Sequence, residues 1–81
     1  MSRSFEIEGI GKVNVIEEAD DFALKIHLQD MKISRKIKFF SQDLLKDFFS
    51  DLTESHAKDM AVATIKDKIS LSVKDMSNKR N

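Results

Sequence analysis

The sequence predicts an α+β domain: an antiparallel sheet of about four or five strands with one amphipathic helix packed on one face, in the order β-β-β-α-β-β. Three observations carry this. Phe22, Leu24, Ile26 and Leu28 alternate strictly with Ala23, Lys25, His27 and Gln29, the period of a half-buried strand. Leu44, Leu45, Phe48, Phe49 and Leu52 recur at helical spacing and fall within an arc of roughly 140°, a core-facing stripe. Shorter alternating segments lie on both sides of that helix, and runs of strands with a segregated helix are the mark of α+β order.

The elements read in turn as follows. Phe5, Ile7, Val13 and Val15 share an odd-numbered apolar phase interrupted by Gly9-Ile10-Gly11. Two short strands around a glycine turn and one long strand with a bulge both fit this pattern. Glu17–Asp21 is acidic and reads as a hairpin loop, and Gln29-Asp30 as a tight turn after the Phe22–Leu28 strand. Met31, Ile33, Arg35, Ile37 and Phe39 form the next inward row; Arg35 breaks it and fits an edge or rim position. Ser41 is placed to cap the helix, its hydroxyl accepting from an early backbone N–H. The helix is expected to fray near Ser55–Lys58. Met60–Ile65 reads as a strand, Lys66-Asp67-Lys68 as a turn, and Ile69, Leu71 and Val73 as the inward row of a last strand.

At 81 residues the chain is one domain. We expect it to span residues 1–76, with Ser77–Asn81 a polar tail. A chain this short buries only about 60% of the surface its unfolded form exposes, which disfavours a deep active-site pocket. Lys and Arg total 14, as do Asp and Glu, so there is no global field of the kind that drives bulk nucleic-acid binding. The absence of Cys excludes disulfides, thiolate metal sites and a Cys nucleophile, and fits a reducing compartment. The N-terminal residues lack an apolar signal-peptide core, and no run approaches the roughly 20 apolar residues of a membrane span. The expectation is a cytoplasmic protein without a membrane partner.

The charges cancel in total but segregate by phase. The outward sheet face collects Lys12, Asn14, Lys25, His27, Lys32, Ser34, Lys36, Lys38, Lys68, Ser70, Ser72 and Lys74. As a functional face this is a platform for an anionic partner, with Lys25, Lys32, Lys36 and Lys38 its centre. A one-sided sheet also needs a solvated face, and edge lysines discourage aggregation. The face has no aromatic residue on which a base could stack; Phe40, at the strand–helix junction, is the exception to the core phases of the phenylalanines. On the helix, Asp43, Asp47 and Asp51 recur at i, i+4 and i+8, and Glu54 joins them in an arc of roughly 80° beside the apolar stripe. Like charges at that spacing mildly destabilise a helix, so the stripe does not serve the helix itself. It reads as a docking face for a basic partner, such as a nuclease or another nucleic-acid enzyme, or as a solvated helix edge.

Catalytic signatures are absent. Asp43, Asp47 and Asp51 lie along a line rather than around a point, unlike the converging ligands of a metal site. His27 is expected to face solvent and His56 to follow the helix; neither belongs to a recognisable triad. Gly9-Ile10-Gly11 lacks the lysine and helix of a phosphate loop. No cofactor is implied, and a non-catalytic protein is expected.

The stretch Phe39-Phe40-Ser41-Gln42-Asp43-Leu44-Leu45-Lys46-Asp47-Phe48-Phe49-Ser50-Asp51-Leu52, a strand end followed by a DLxxxFFxDL-like helix, resembles small bacterial sheet-plus-helix proteins such as the WapI-type immunity proteins. The resemblance covers roughly Ile33–Val73; the chain departs from it in having no Trp or Gly after the helix. It implies a stoichiometric inhibitor of a toxin or effector, and an anti-defence inhibitor would look the same. Two other readings stand beside it: a nucleic-acid-binding or accessory module using the lysine face, and a structural homodimer with Arg35 and Phe40 near the seam.

Overall fold

The computed structural model describes the backbone of residues 1–79 and the side chains of residues 1–69. Strands β1 (Ser2–Ile7), β2 (Gly11–Glu18), β3 (Ala23–Leu28) and β4 (Ile33–Lys38) are followed by helices α1 (Gln42–Ser50) and α2 (Glu54–Lys79). The strands form one antiparallel sheet in sequence order, with β1 and β4 at its edges. The fold is α+β, as the alternation and the helical stripe predict, but the order is β-β-β-β-α-α with two helices.

The first half of the chain follows its pattern. The glycine segment is a turn between two strands: Gly9 and Gly11 have φ of 83° and 97°, open to glycine but not to other residues at low cost. A Cβ at Gly11 would also meet the Asp30 carboxylate, the end of an exposed side chain that would have to turn aside. A 3₁₀ turn, Ala19–Asp21, joins β2 to β3, and Phe22 closes it with φ 52°. A left-handed conformation in a bulky residue costs about 1–2 kcal/mol. Phe22 is held there by its N–H donating to the Ala19 carbonyl at 3.1 Å and by its carbonyl accepting from Phe39 N–H at 2.7 Å. The Gln29-Asp30 turn also forms, extending to Lys32, whose φ is 56°.

The inner face of the sheet is the core. Val13, Val15, Leu24, Ile26 and Leu28 are completely buried beneath Leu45, Phe49, Leu52, Ala57 and Ala61. Each large aliphatic side chain so buried contributes roughly 1.5–3 kcal/mol. One cross-strand row of this face reads Arg3, Val15, Ile26, Arg35, with an arginine at each edge strand. Arg3 extends over Phe5, 5.2 Å from the ring centroid, and donates to the carbonyls of Leu52 at 2.8 Å and Phe49 at 3.4 Å. Arg35 pairs with Asp67 of α2 at 2.6 Å. The rim position expected for Arg35 is therefore the one it takes.

The second half departs from its pattern in three places. The single helix expected to run from Ser41 to Glu54 is two. Ser41 caps α1, accepting from Leu44 N–H at 3.2 Å, but α1 ends at Ser50 with Asp51 as its C-terminal cap. Thr53 then opens α2: its Oγ1 accepts from His56 N–H at 3.2 Å while His56 Nδ1 accepts from Thr53 N–H at 3.3 Å. This reciprocal pair is a capping box with histidine in the usual glutamate position. The fraying expected at Ser55–Lys58 is thus replaced by the first turns of α2.

The strands expected at Met60–Ile65 and Ile69–Val73, and the turn at Lys66–Lys68, all fall within α2. Ala57, Ala61 and Thr64, at i, i+4 and i+7, form the buried face of this helix. Thr64 returns its hydroxyl to the Met60 carbonyl at 2.8 Å, which lets a polar residue sit against the sheet. Small side chains hide a helical period from any hydrophobicity pattern while permitting close approach to the strands. Neither Gly nor Pro occurs after Gly11 to break the helix. The tail expected at Ser77–Asn81 extends past the described residues at positions 80 and 81.

Helix α2 touches all four strands. Glu54, Ser55 and Lys58 lie beside the end of β1, and Thr64, Asp67 and Lys68 beside Ser34 and Arg35 of β4, so α2 crosses the sheet from one edge to the other. Helix α1 runs the opposite way, with Gln42 donating to Ala19 at its start and Arg3 at its end. Phe48 of α1 stacks on His56 of α2 at 6.1 Å and packs against Phe39 at 5.5 Å.

Candidate interaction surface

The outward sheet face is polar, as its phase requires. Its rows place Ser4, Asn14, His27 and Ser34 in one line, and Ser2, Ile16, Lys25 and Lys36 in the next. His27 faces outward, partly exposed. Lys12 stands opposite Glu6, and Lys25 directly opposite Lys36. Three of the expected lysines belong elsewhere. Lys32 occupies the β3–β4 turn, and Lys68 lies on α2, where the backbone of Ser70, Ser72 and Lys74 also runs. The assumption that failed is the last strand: without it the face loses that row.

The platform is also less free than its lysine count suggests. Lys36 Nζ lies 3.0 Å from Asp21 Oδ2 and 3.3 Å from Glu18 Oε1, and Lys38 Nζ donates to the Asp21 carbonyl at 3.1 Å. The hydrogen bond from Lys36, reinforced by the charges of Lys36 and Lys38, holds the Asp21 carboxyl below its ordinary value of 3.8. Donation to Asp21 first, and the pairing with Glu18 second, raise the Lys36 ammonium above its ordinary value. Two cations are thus turned onto the acidic 3₁₀ turn beside them. Lys12, Lys25 and Lys32 make no ion pair among the described residues.

The four carboxylates expected on one helix are divided. Asp43 and Asp47 are exposed one turn apart on α1, and Asp51 is exposed at its C-terminal cap. Glu54 is the first residue of α2 and lines an open groove with Glu6, Ile7, Glu8, Ser55 and Lys58. The helix break after Ser50 is the reason, since the i, i+4, i+8 arithmetic holds only along one axis. Among the described residues Asp43, Asp47, Asp51 and Glu54 form no ion pair, so they do not reach back to lysines at the sheet rim. Nor do His, Asp and Glu side chains converge there in threes as metal ligands would. Among the described residues no helix is long and apolar enough to cross a membrane.

One end of the molecule carries features that hydrophobic phase did not anticipate. Phe40 is 98% exposed and Leu44, one turn on, is 50% exposed. Phe22, in its left-handed conformation, is 41% exposed. The loops that carry them are tied together: Phe39 N–H donates to the Phe22 carbonyl, and the Gln42 side-chain amide donates to the Ala19 carbonyl. The position of Phe40 at the strand–helix junction was its only sequence signal. No family model matches this chain, and no curated protein or solved structure matches it either.

Proposed function

We propose that this chain is a small non-catalytic binding protein of the immunity or anti-defence type, which inhibits a nucleic-acid-handling protein by docking on it through a charged face. The observation that carries this reading is the state of the acidic residues. Asp43, Asp47 and Asp51 are exposed and unpaired among the described residues, although a like-charged series weakens its own helix. Charges retained at such positions are those a basic partner would neutralise. The resemblance of the Phe39–Leu52 stretch to WapI-type immunity proteins points the same way. Glu54 extends the contact only if the partner also reaches the groove beside β1.

The test is affinity capture by the tagged protein, at low salt with nuclease, against the variant carrying Asp47→Lys and Asp51→Lys. A single stoichiometric protein partner, lost on charge reversal, is the expected result. Retention of that partner by the reversed variant would remove the acidic face from the reading.

The second reading is a nucleic-acid-binding module on the outward sheet face. It draws on Lys12 and Lys25, which are unpaired among the described residues, and on the Lys25–Lys36 juxtaposition. It requires retardation of DNA or RNA that falls steeply with salt. If retardation fails at low salt, this reading is excluded. A homodimer through the open edges of β1 or β4 is the third, and a monomeric mass by light scattering at high concentration excludes it.

A further inference from the structure

We infer that the end of the molecule formed by Phe22, Phe40 and Leu44 is the anchoring surface for a cationic protein segment that inserts an apolar side chain between flanking carboxylates. The inference rests on the docking reading above and deepens it by naming the anchor and the chemistry of the partner.

The first observation is Phe40. It precedes the cap residue of α1 and stands where a hydrophobic staple would pack it on Leu45. Leu45 is completely buried and Phe40 is 98% exposed, so the staple is not made. The ring contributes nothing to the core, and phenylalanine is among the aromatic residues enriched at the core of protein interfaces. Leu44 extends the apolar surface along α1.

The second observation is Phe22. Its backbone is held left-handed by hydrogen bonds within and across the loops, and Gly or Asn would take that conformation more easily. A half-exposed aromatic is kept at a position whose backbone disfavours it. Strain maintained by the surrounding structure is a feature of binding sites.

The third observation sets the sign of the partner. Asp20 precedes Phe22 in the 3₁₀ turn, and Asp43 and Asp47 share α1 with Leu44; all three are exposed and without an ion pair among the described residues. The nearby Lys36 and Lys38 are already turned onto Asp21. Lys46 is the only cation within α1. An anionic segment would meet these carboxylates; a cationic one would be drawn to them and seat its apolar side chain on Phe40 and Leu44.

The experiment follows backbone amide shifts while the full chain is titrated with a 15-residue Lys/Leu amphipathic peptide, and separately with its Glu/Leu counterpart. Shifts confined to residues 19–22 and 39–47, with the cationic peptide alone, are expected. Phe40→Ser and, independently, Leu44→Ser should each weaken binding about tenfold or more without lowering the melting temperature. Equal binding of the anionic peptide, shifts centred on the outward sheet face, or unchanged affinity of both variants would overturn the inference. Sedimentation showing a dimer abolished by Phe40→Ser would overturn it too, by making a second copy the occupant. If Asp47→Lys with Asp51→Lys abolishes binding while Phe40→Ser and Leu44→Ser do not, the docking reading survives and the aromatic anchor falls. If none of the variants matters, both fall.

Discussion

Replacing Arg3 by methionine keeps an aliphatic stem over the sheet rim and removes the guanidinium that holds the ends of α1 and β1 together. Three interactions are lost: donation to Leu52 at 2.8 Å, the longer contact to Phe49 at 3.4 Å, and the approach to the Phe5 ring. A hydrogen bond from a charged donor contributes about 1.5–3 kcal/mol when well buried. A cation at a helix C-terminus adds about 0.3–1 kcal/mol. Arg3 is exposed overall and its bonds are only partly buried, so water recovers part of both. The net loss expected is about 1–2 kcal/mol. For a domain of this size that is a fall in melting temperature of about 5–15 °C. In urea, with a slope near 1 kcal/mol per molar, the midpoint moves by about 1–2 M. Arg3→Lys keeps the charge but not the fork and should recover about half of the loss. A midpoint for Arg3→Met within about 0.3 M of the parent protein, at unchanged slope, would refute the assignment of Arg3 as the clasp between β1 and the helix ends.

Gly11→Ala should destabilise by about 2 kcal/mol or more, since φ is 97° and the new Cβ meets Asp30; urea unfolding reads it, and Gly11→Ala with Asp30→Ala should recover the steric part alone. Thr53→Ala should cost about 1 kcal/mol, and His56→Ala a comparable amount through the lost cap and the lost stack on Phe48; the double variant should lose less than the sum, as the double-mutant cycle will measure. Lys36→Met should lower stability across the neutral range and flatten its dependence on pH. Asp21 has its folded value depressed below 3.8, so its contribution is present above that value and is lost as pH falls through the folded one. Lys36 has its folded value raised above 10.5, so its contribution is present below that value and disappears as pH rises through the folded one. The stability difference between parent and variant should therefore be flat in the neutral range and shrink toward both limbs; a difference independent of pH from acid to alkaline would sink the account.

How far the sequence carried this reading depended on side-chain size. Phe22–Leu28 and Ile33–Phe39 alternate large apolar with polar residues, and strands form there over Ala23–Leu28 and Ile33–Lys38; Phe22, expected in the inward row, instead closes the loop before β3 with positive φ. Ser41 was legible as a cap because its chemistry is local, and its hydroxyl accepts three residues on. Past Leu52 the signal fails. Ala57, Ala61 and Thr64 bury a helical face whose members score as weakly apolar or polar, while Ile69, Leu71 and Val73 alternate like a strand within one helical run. No propensity marks the break after Ser50 except Thr53 with His56, a capping pair disguised by its histidine. The acidic residues were named individually, but their grouping assumed one continuous helix, so Glu54 parted from Asp43 and Asp47. Phe40 drew notice by its position. Phe22 did not, because the sign of φ there is settled by the bond its N–H donates to Ala19 and the one its carbonyl accepts from Phe39 rather than by its neighbours in sequence.

The arginine at each end of the Val15–Ile26 row has a consequence for how the chain assembles. A slip of β1 by one residue against β2 would turn Arg3 to the opposite face and abandon the ends of the helices. Register is therefore checked not only by the hydrophobic face but by two carbonyls contributed from more than forty residues downstream. Until α1 and the start of α2 exist, the N-terminal strand has nothing to hold its outer rim, and the closure of so long a loop carries its entropy cost late. The β1–β2 hairpin is local, but the anchor of its outer edge is not: Arg3 ties that edge to the helices that cover the sheet.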